Sequence, residues 1–320
     1  MRLGRCAVID IGTVTCRMLV ADVDESGIRE LTREYAITNL GEGVDATGEL
    51  APCAMERVED AIDRFLAVRD SLSTPGNPVI RTIAVATSAA RDARNADEFA
   101  SRLRKRGIEL SVIPGNREAA LSFSGASIDF SGEHLMVVDV GGGSTEVVVG
   151  TGGAAPACAH SFNVGCRRVT ERFLASDPPA SEELARASAW IHDQMASWFA
   201  ENEREVASLD RVVAVAGTAT TVVSIRERME TYDSSRVHKA LVTRGTLLEI
   251  YERLASLPLA HRERVVGLDP KRAPVMVAGL LILLEVLDFA HVDAFTVSET
   301  DILHGITLAV SHEACEESRL

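Results

Sequence analysis

Leu135-Met-Val-Val-Asp139-Val-Gly-Gly-Gly-Ser-Thr-Glu146-Val-Val-Val149 is an apolar run, an aspartate, a glycine-rich polar turn and a second apolar run. Two apolar stretches joined by so short a turn predict a β-hairpin. The same order of residue types opens the chain, in Cys6-Ala-Val-Ile-Asp10-Ile-Gly-Thr-Val-Thr-Cys-Arg-Met-Leu-Val-Ala-Asp22. Asp139 lies 129 residues after Asp10, a domain-sized internal repeat and too long for a solenoid period. Three glycines, two hydroxyls and a carboxylate in a row exceed what a hairpin turn needs. Glycine lets successive main-chain N–H groups close on an anion, so turns of this kind hold phosphoryl oxygens without net positive charge.

Outward from the hairpins the chain alternates. Met55, Val58, Ile62, Phe65, Leu66 and Leu72 recur at helical spacing, and Thr82–Thr87 reads as a strand. Asn95 stands three residues before Glu98, the pattern of a capping box, and predicts a helix reaching Arg106. Strand Glu109–Pro114 then leads through Gly115 to Glu118 and a short helix, with a domain break over residues 124–134. In the second half, Leu184, Ile191, Met195, Trp198 and Phe199 share one helical face, and both tryptophans, Trp190 and Trp198, are expected to pack in a core or interface. Strand Arg211–Ala216 ends in a third small-residue turn, Gly217-Thr218; helices follow over 243–257 and 274–289, and strand Val292–Ser298 precedes a terminal helix. Strands and helices alternating twice over predict an α/β protein with mostly buried sheets.

At 320 residues, length suggests about two domains, and 46% apolar with 25% charged residues excludes general disorder. A formal charge of −14 argues against broad nucleic-acid binding, which needs positive potential to displace counterions. The longest apolar run, Ala273–Leu284, contains Pro274 and Gly279 and stops at Glu285, short of a membrane span. Asp10 interrupts the N-terminal apolar stretch, so no signal peptide is expected and the chain is read as cytoplasmic. Cys6, Cys16, Cys53, Cys158, Cys166 and Cys315 form no Cys-x-x-Cys pair and are expected as buried reduced thiols.

Several side chains carry a chemical option beside a plain one. Asp139 and Glu146 flank the glycine turn; hard carboxylates of this kind suit Mg²⁺, and otherwise they are a turn cap and a solvated strand residue. Asp10 is a weaker candidate of the same type. Glu118 stands at a strand-to-helix corner, where it either activates a water as general base or sits favourably in a first helical turn. Arg91 either clamps phosphate or pairs with Asp92 or Asp97. The cluster Arg102, Arg104, Lys105, Arg106 reads as a solvated last turn, and the histidines, His312 and His304 among them, show no ligand spacing.

Together these segments resemble the exopolyphosphatase and guanosine-pentaphosphate phosphohydrolase family of the actin, sugar-kinase and Hsp70 superfamily. The matching stretches are Ala7–Arg17, Ala86–Asn95, Ile113–Ala119, Val138–Glu146, Gly165–Glu171, Ala216–Thr218 and Arg272–Gly279, in family order across nearly the whole chain. The resemblance implies two ribonuclease-H-like α/β domains, 1–128 and 129–320, facing an interdomain cleft, with the option that the terminal helix packs back on the first. It implies phosphate loops at Gly12, Thr13 and Thr15 and at Gly141, Gly142, Gly143, Ser144 and Thr145, with Arg91 as a phosphate contact. It further implies Glu118 as the water-activating catalytic glutamate, Asp139 and Glu146 toward Mg²⁺ (or Mn²⁺), and Gly217 and Thr218 as a nucleotide-side loop.

Three departures stand out. Val14 replaces a polar residue of the first turn, Arg117 replaces one of two paired glutamates, where it holds phosphate or lowers the Glu118 pKa, and Ser298–Gly305 lacks the usual Leu-Arg-Glu/Asp-Gly. The expected activity is Mg²⁺-dependent release of terminal phosphate from inorganic polyphosphate by a homodimer, with neither nucleic acid nor membrane as partner. Guanosine pentaphosphate hydrolysis, ATP-dependent phosphotransfer, and a non-catalytic sensor of alarmone or polyphosphate are the alternatives.

Overall fold

In the computed structural model, residues 2–24 and 27–317 are described, with side chains over 4–24 and 27–310; Cys315 and His312 lie outside the described side chains. The chain divides into two compact units, Met1–Gly125 with Ile302–Leu320, and Ala126–Asp301.

The first unit is built on β1 (Arg2–Ile11), β2 (Thr15–Asp24), β3 (Gly27–Ile37), β4 (Val79–Ala86) and β5 (Leu110–Val112), in the order β3-β2-β1-β4-β5. β1, β2 and β3 form an antiparallel meander, and β4 and β5 add in parallel beyond β1. Helix Pro52–Leu72 covers one face with Ala54, Met55, Val58, Ala61, Ile62 and Phe65. The other face, with Val8, Leu19, Ala21 and Val85, is covered by Leu121 of helix Gly115–Ala126 and by Ile302, Leu303 and Ile306 of the terminal helix Ile302–Glu317.

The second unit uses β6 (His134–Val140), β7 (Thr145–Thr151), β8 (Pro156–Phe162), β9 (Arg211–Val215), β10 (Leu241–Thr243) and β11 (Ala294–Val297), in the order β10-β11-β9-β6-β7-β8. β6, β7 and β8 are again an antiparallel meander, followed by parallel β9 and β11; β10 is an added antiparallel edge. This is the plan of the first sheet repeated, and it is the strand order of a ribonuclease-H-like domain. Helix Ala273–Ala290 is long and apolar enough to cross a membrane, but most of it is buried inside this unit, where it is the central core helix.

Three local expectations are corrected. Asn95 makes no side-chain cap to helix Ala96–Arg104. Its amide instead bonds Leu50 in both directions, Oδ1 accepting from the Leu50 N–H at 2.8 Å and Nδ2 donating to the Leu50 carbonyl at 3.0 Å. A long-range partner that offers both a donor and an acceptor outcompetes a single local cap. Cys53 is exposed and Cys158 half-buried, whereas Cys6, Cys16 and Cys166 are buried; all five are free thiols. Of the four residues expected as a solvated last turn, Arg104 and Lys105 are exposed, whereas Arg102 and Arg106 both pair with buried Glu59 of helix Pro52–Leu72.

Candidate functional site

The two hairpins close identically. Ile11 pairs with Cys16 and Val140 with Thr145, leaving four residues in each turn. Gly12 N–H donates to the Thr15 carbonyl at 2.9 Å, and Gly141 N–H to the Ser144 carbonyl at 3.0 Å. A Cβ at either glycine would approach that carbonyl oxygen to 3.0 or 3.1 Å, so the tight closure favours glycine at both positions.

In the second turn the carbonyls are all taken. Gly141 O accepts from Cys166 N–H at 2.9 Å, Gly142 O from Arg167 N–H at 2.9 Å, and Gly143 O from Arg168 Nε at 3.0 Å. The first two donors are the opening amides of helix Cys166–Phe173. In a trans peptide the N–H points opposite to the C=O. The N–H groups of Gly142, Gly143 and Ser144 therefore aim away from that helix, an arrangement of successive amides suited to an anion. Gly165 permits this docking, since a Cβ there would lie 2.3 Å from the Gly142 carbonyl oxygen. Thr145 Oγ1 donates to the Val164 carbonyl and is occupied in holding the turn.

The first turn follows the same logic with different partners. Thr13 O accepts from Gly41 N–H, and Val14 O from both Thr38 and Asn39 N–H, each at 2.9 Å. The N–H groups of Val14 and Thr15 accordingly point away from the 38–41 segment. Val14 is buried, so this departure places an apolar side chain in the core while its backbone keeps the turn's geometry.

Glu118 lies in the first turn of helix Gly115–Ala126 and is 8% exposed. Arg91, from the short helix Ser88–Asp92 that follows β4, donates Nη1 to Glu118 Oε2 at 2.5 Å and to the Ile113 carbonyl at 3.0 Å. Neither Asp92 nor Asp97 is the partner in this bond. Charge-assisted hydrogen bonds of this kind are roughly twice as strong as neutral ones, so Arg91 fixes where the carboxylate points. Arg117, next to Glu118, is exposed.

Asp139 and Glu146 face each other across β6 and β7, 8% and 2% exposed. Glu146 accepts from Ser161 Oγ at 2.7 Å, which orients one of its oxygens. Like charges directly opposite on antiparallel strands repel, and burial sharpens the cost, so two carboxylates at this place favour positive charge nearby. Among the described residues no three His, Cys, Asp or Glu side chains gather into a metal cage. Mg²⁺ does not need one: it takes one or two carboxylates and completes its shell with water and phosphate oxygens, and the Asp139–Glu146 pair fits it.

Gly217 and Thr218 are corrected from a loop to the first turn of helix Ala216–Arg226. Ala216 takes φ 61°, turning the chain from β9 straight into the helix with no residues left for a loop. Thr218 Oγ1 donates to the Val140 carbonyl at 3.0 Å, tying this helix to the end of β6. The Arg272 guanidinium lies against Gly217, where a Cβ would come within 2.3 Å of Cζ and both terminal nitrogens. Burial pushes the Cys166 thiol pKa up, partly offset by Arg272 and Arg167, which keeps this residue a protonated packing group. Arg167, Arg168 and Arg272 thus gather about the second turn, and none received a role from the sequence. The available signal was the single glycine just ahead of the first two in Gly165-Cys-Arg-Arg168.

Known proteins supply an independent comparison. The sequence model of the Ppx/GppA phosphatase family matches residues 19–314. Exopolyphosphatase 2 of Mycobacterium tuberculosis is 35% identical over 327 aligned residues, spanning 97% of this chain and all of that protein. The crystal structure of an exopolyphosphatase-like protein superposes with a TM-score of 0.89 at 31% identity, covering 97% of this chain and 98% of the other. That of the Aquifex aeolicus member of the family gives 0.77 at 28% identity and 98% coverage of both. A match running from β2 into the terminal helix, together with the twice-used strand order, places this chain in the Ppx/GppA phosphatase family.

Proposed function

We propose that this chain is a divalent-metal-dependent phosphoanhydride hydrolase that removes terminal orthophosphate from inorganic polyphosphate. The observation that carries it is the buried Glu118 carboxylate, held by Arg91 at the mouth of a helix in a family of phosphatases. The names of its relatives, exopolyphosphatase 2 and, at 28% identity, exopolyphosphatase 1, support polyphosphate as the substrate.

Glu118 accepts a proton from water as the water oxygen attacks the terminal phosphorus. The bridging P–O bond breaks, and the electron pair leaves on the shortened chain, so the products are orthophosphate and a polyphosphate one residue shorter. Little covalent chemistry falls to the protein, so positioning and charge stabilisation dominate. Arg91 steadies the base. In the second unit the outward amides of Gly142, Gly143 and Ser144 are suited to phosphoryl oxygens, and in the first those of Val14 and Thr15. Asp139 and Glu146 would hold Mg²⁺ or Mn²⁺, which supplies charge neutralisation on the phosphate chain when bound.

Glu118→Gln keeps the shape and removes the base. Phosphate release from polyphosphate, measured colorimetrically with and without Mg²⁺, is expected to fall by about 10²–10⁴-fold while polyphosphate binding by filter retention persists. Unchanged turnover in that variant would falsify the assignment. Parallel assays with guanosine pentaphosphate decide whether polyphosphate is the preferred substrate.

A further inference from the structure

The two turns are backed by different kinds of structure. Behind the second stands a helix, whose opening amides take the Gly141 and Gly142 carbonyls. Behind the first stands the segment 38–41, which is neither helix nor strand. Its Thr38 and Asn39 amides meet at the Val14 carbonyl, and its Gly41 amide reaches the Thr13 carbonyl. Asn39 is held at φ 50°, in the left-handed region that a residue with a Cβ enters at a cost, so the segment needs support from outside itself to keep this shape.

That support comes from helix Pro52–Leu72. Arg57 Nε donates to the Thr38 carbonyl at 2.6 Å, and Nη2 donates to the Asn39 carbonyl at 3.1 Å and to Glu42 Oε2 at 2.8 Å. Thr38 is buried, so its carbonyl needs a donor inside the fold. The guanidinium is a planar fork whose donors are fixed relative to one another, so one side chain sets both carbonyls at once.

Peptide planarity carries this support into the turn. Val14 N–H shares a plane with the Thr13 carbonyl, and Thr15 N–H with the Val14 carbonyl. Those are the two carbonyls that the 38–41 amides hold, and Val14 and Thr15 supply the outward amides of this turn. Orientation therefore passes from Arg57 to the 38–41 backbone, from there to the turn's carbonyls, and out on the far side of the same two planes.

We propose that Arg57 is a positioning residue for phosphate binding by the first turn: it clamps the 38–41 segment and thereby fixes the directions of the Val14 and Thr15 amides. It acts through backbone and is not itself a substrate contact. This inference rests on the phosphate role of the first turn and names the side chain on which that role depends.

The test compares Arg57→Ala with Arg69→Ala in the full-length chain. Arg69 stands in the last turn of the same helix, where it bonds Asp70 and Thr82. Hydrogen exchange followed by mass spectrometry, without substrate, is expected to show the Thr38, Asn39 and Gly41 amides exchanging about tenfold faster in Arg57→Ala and at an unchanged rate in Arg69→Ala. With polyphosphate and Mg²⁺, Arg57→Ala should raise KM about tenfold with kcat within about twofold, the sign of lost binding shared by ground and transition states. Arg69→Ala should leave both constants within about twofold. Unchanged exchange in Arg57→Ala overturns the proposal, and so does an unchanged KM, a loss confined to kcat, or the same rise in KM in Arg69→Ala. Should Arg57→Ala fail to fold, Arg57→Lys takes its place, since it keeps the charge and the stem but loses the fork. A KM rise above about threefold in that variant supports the proposal, and a smaller one overturns it. Failure of the unaltered chain to release phosphate sinks the hydrolase reading, and the exchange result alone then decides on Arg57.

Discussion

The hairpin of the first unit and that of the second share register, turn length and the closing bond from glycine to the carbonyl three residues on, yet an arginine faces the aspartate in one and a glutamate in the other. The first is self-contained: Arg17 neutralises Asp10, Val14 fills a core position, and backbone from 38–41 takes up the turn's carbonyls. In the second, Glu146 stands opposite Asp139, and three glycine carbonyls are turned toward a helix and Arg168. One backbone plan thus supports two electrostatic designs, and the choice lies in a few side chains. Geometry that is inherited twice need not carry the same chemistry twice.

The comparison is broken most directly at the carboxylates. Glu146→Gln or Asp139→Asn should lower Mg²⁺-dependent phosphate release by about 10²-fold or more and raise the Mg²⁺ concentration needed for half-activity, since each removes one of the two carboxylates proposed to hold the ion. Equal losses from Asp10→Asn, with unchanged Mg²⁺ dependence, would mark that residue as structural.

Glycines that seat the turns come next. Gly165→Ala meets the Gly142 carbonyl, which is backbone and cannot swing aside, whereas Gly41→Ala meets the Thr13 methyl. Urea unfolding should show a loss of about 3 kcal/mol for Gly165→Ala and about 1 kcal/mol for Gly41→Ala. The reverse order would show that the first turn is the more rigid of the two.

Val14→Asn restores a polar side chain of the type the family usually has there. Because Val14 is buried and its carbonyl is already bonded twice, the change should cost about 1–2 kcal/mol of stability and leave turnover within about twofold. A gain in turnover would show that the first turn lacks a contact its counterpart has.

The smallest effect concerns pH. Glu30 on β3 accepts from His304 at 2.8 Å and pairs with Arg33, and these partners hold its pKa below the usual value despite burial that raises it. Its folded pKa being depressed, its contribution is present above the unfolded value near 4.5 and is lost as pH falls through the folded one. Glu30→Gln should therefore flatten the stability profile below about pH 4.5, by less than about 1 kcal/mol given its partial exposure. An unchanged acid limb would place that sensitivity elsewhere.

Much of the architecture was legible because it rests on local signals. The hairpins show as apolar runs around glycine turns, and helix Pro52–Leu72 as apolar residues at helical spacing. The third strand of each meander escaped notice. β3 reads Gly-Ile-Arg-Glu-Leu-Thr-Arg-Glu-Tyr-Ala-Ile and β8 Pro-Ala-Cys-Ala-His-Ser-Phe, edge strands whose exposed positions dilute the apolar alternation. Gly217-Thr218 looked like a turn because small polar residues mark loops; only the positive φ of Ala216 makes them helical.

By itself the sequence determined the hairpins, the position of Glu118 at the head of a helix, and the acidic pair around the glycine turn, because each depends on neighbours within a few residues. Tertiary structure alone decided that Arg91 holds Glu118 from 27 residues away, that Asn95 serves Leu50, and that Arg167, Arg168 and Arg272 gather about one turn. A charged side chain takes the partner that the fold brings within about 3 Å, and sequence spacing cannot say which one that is.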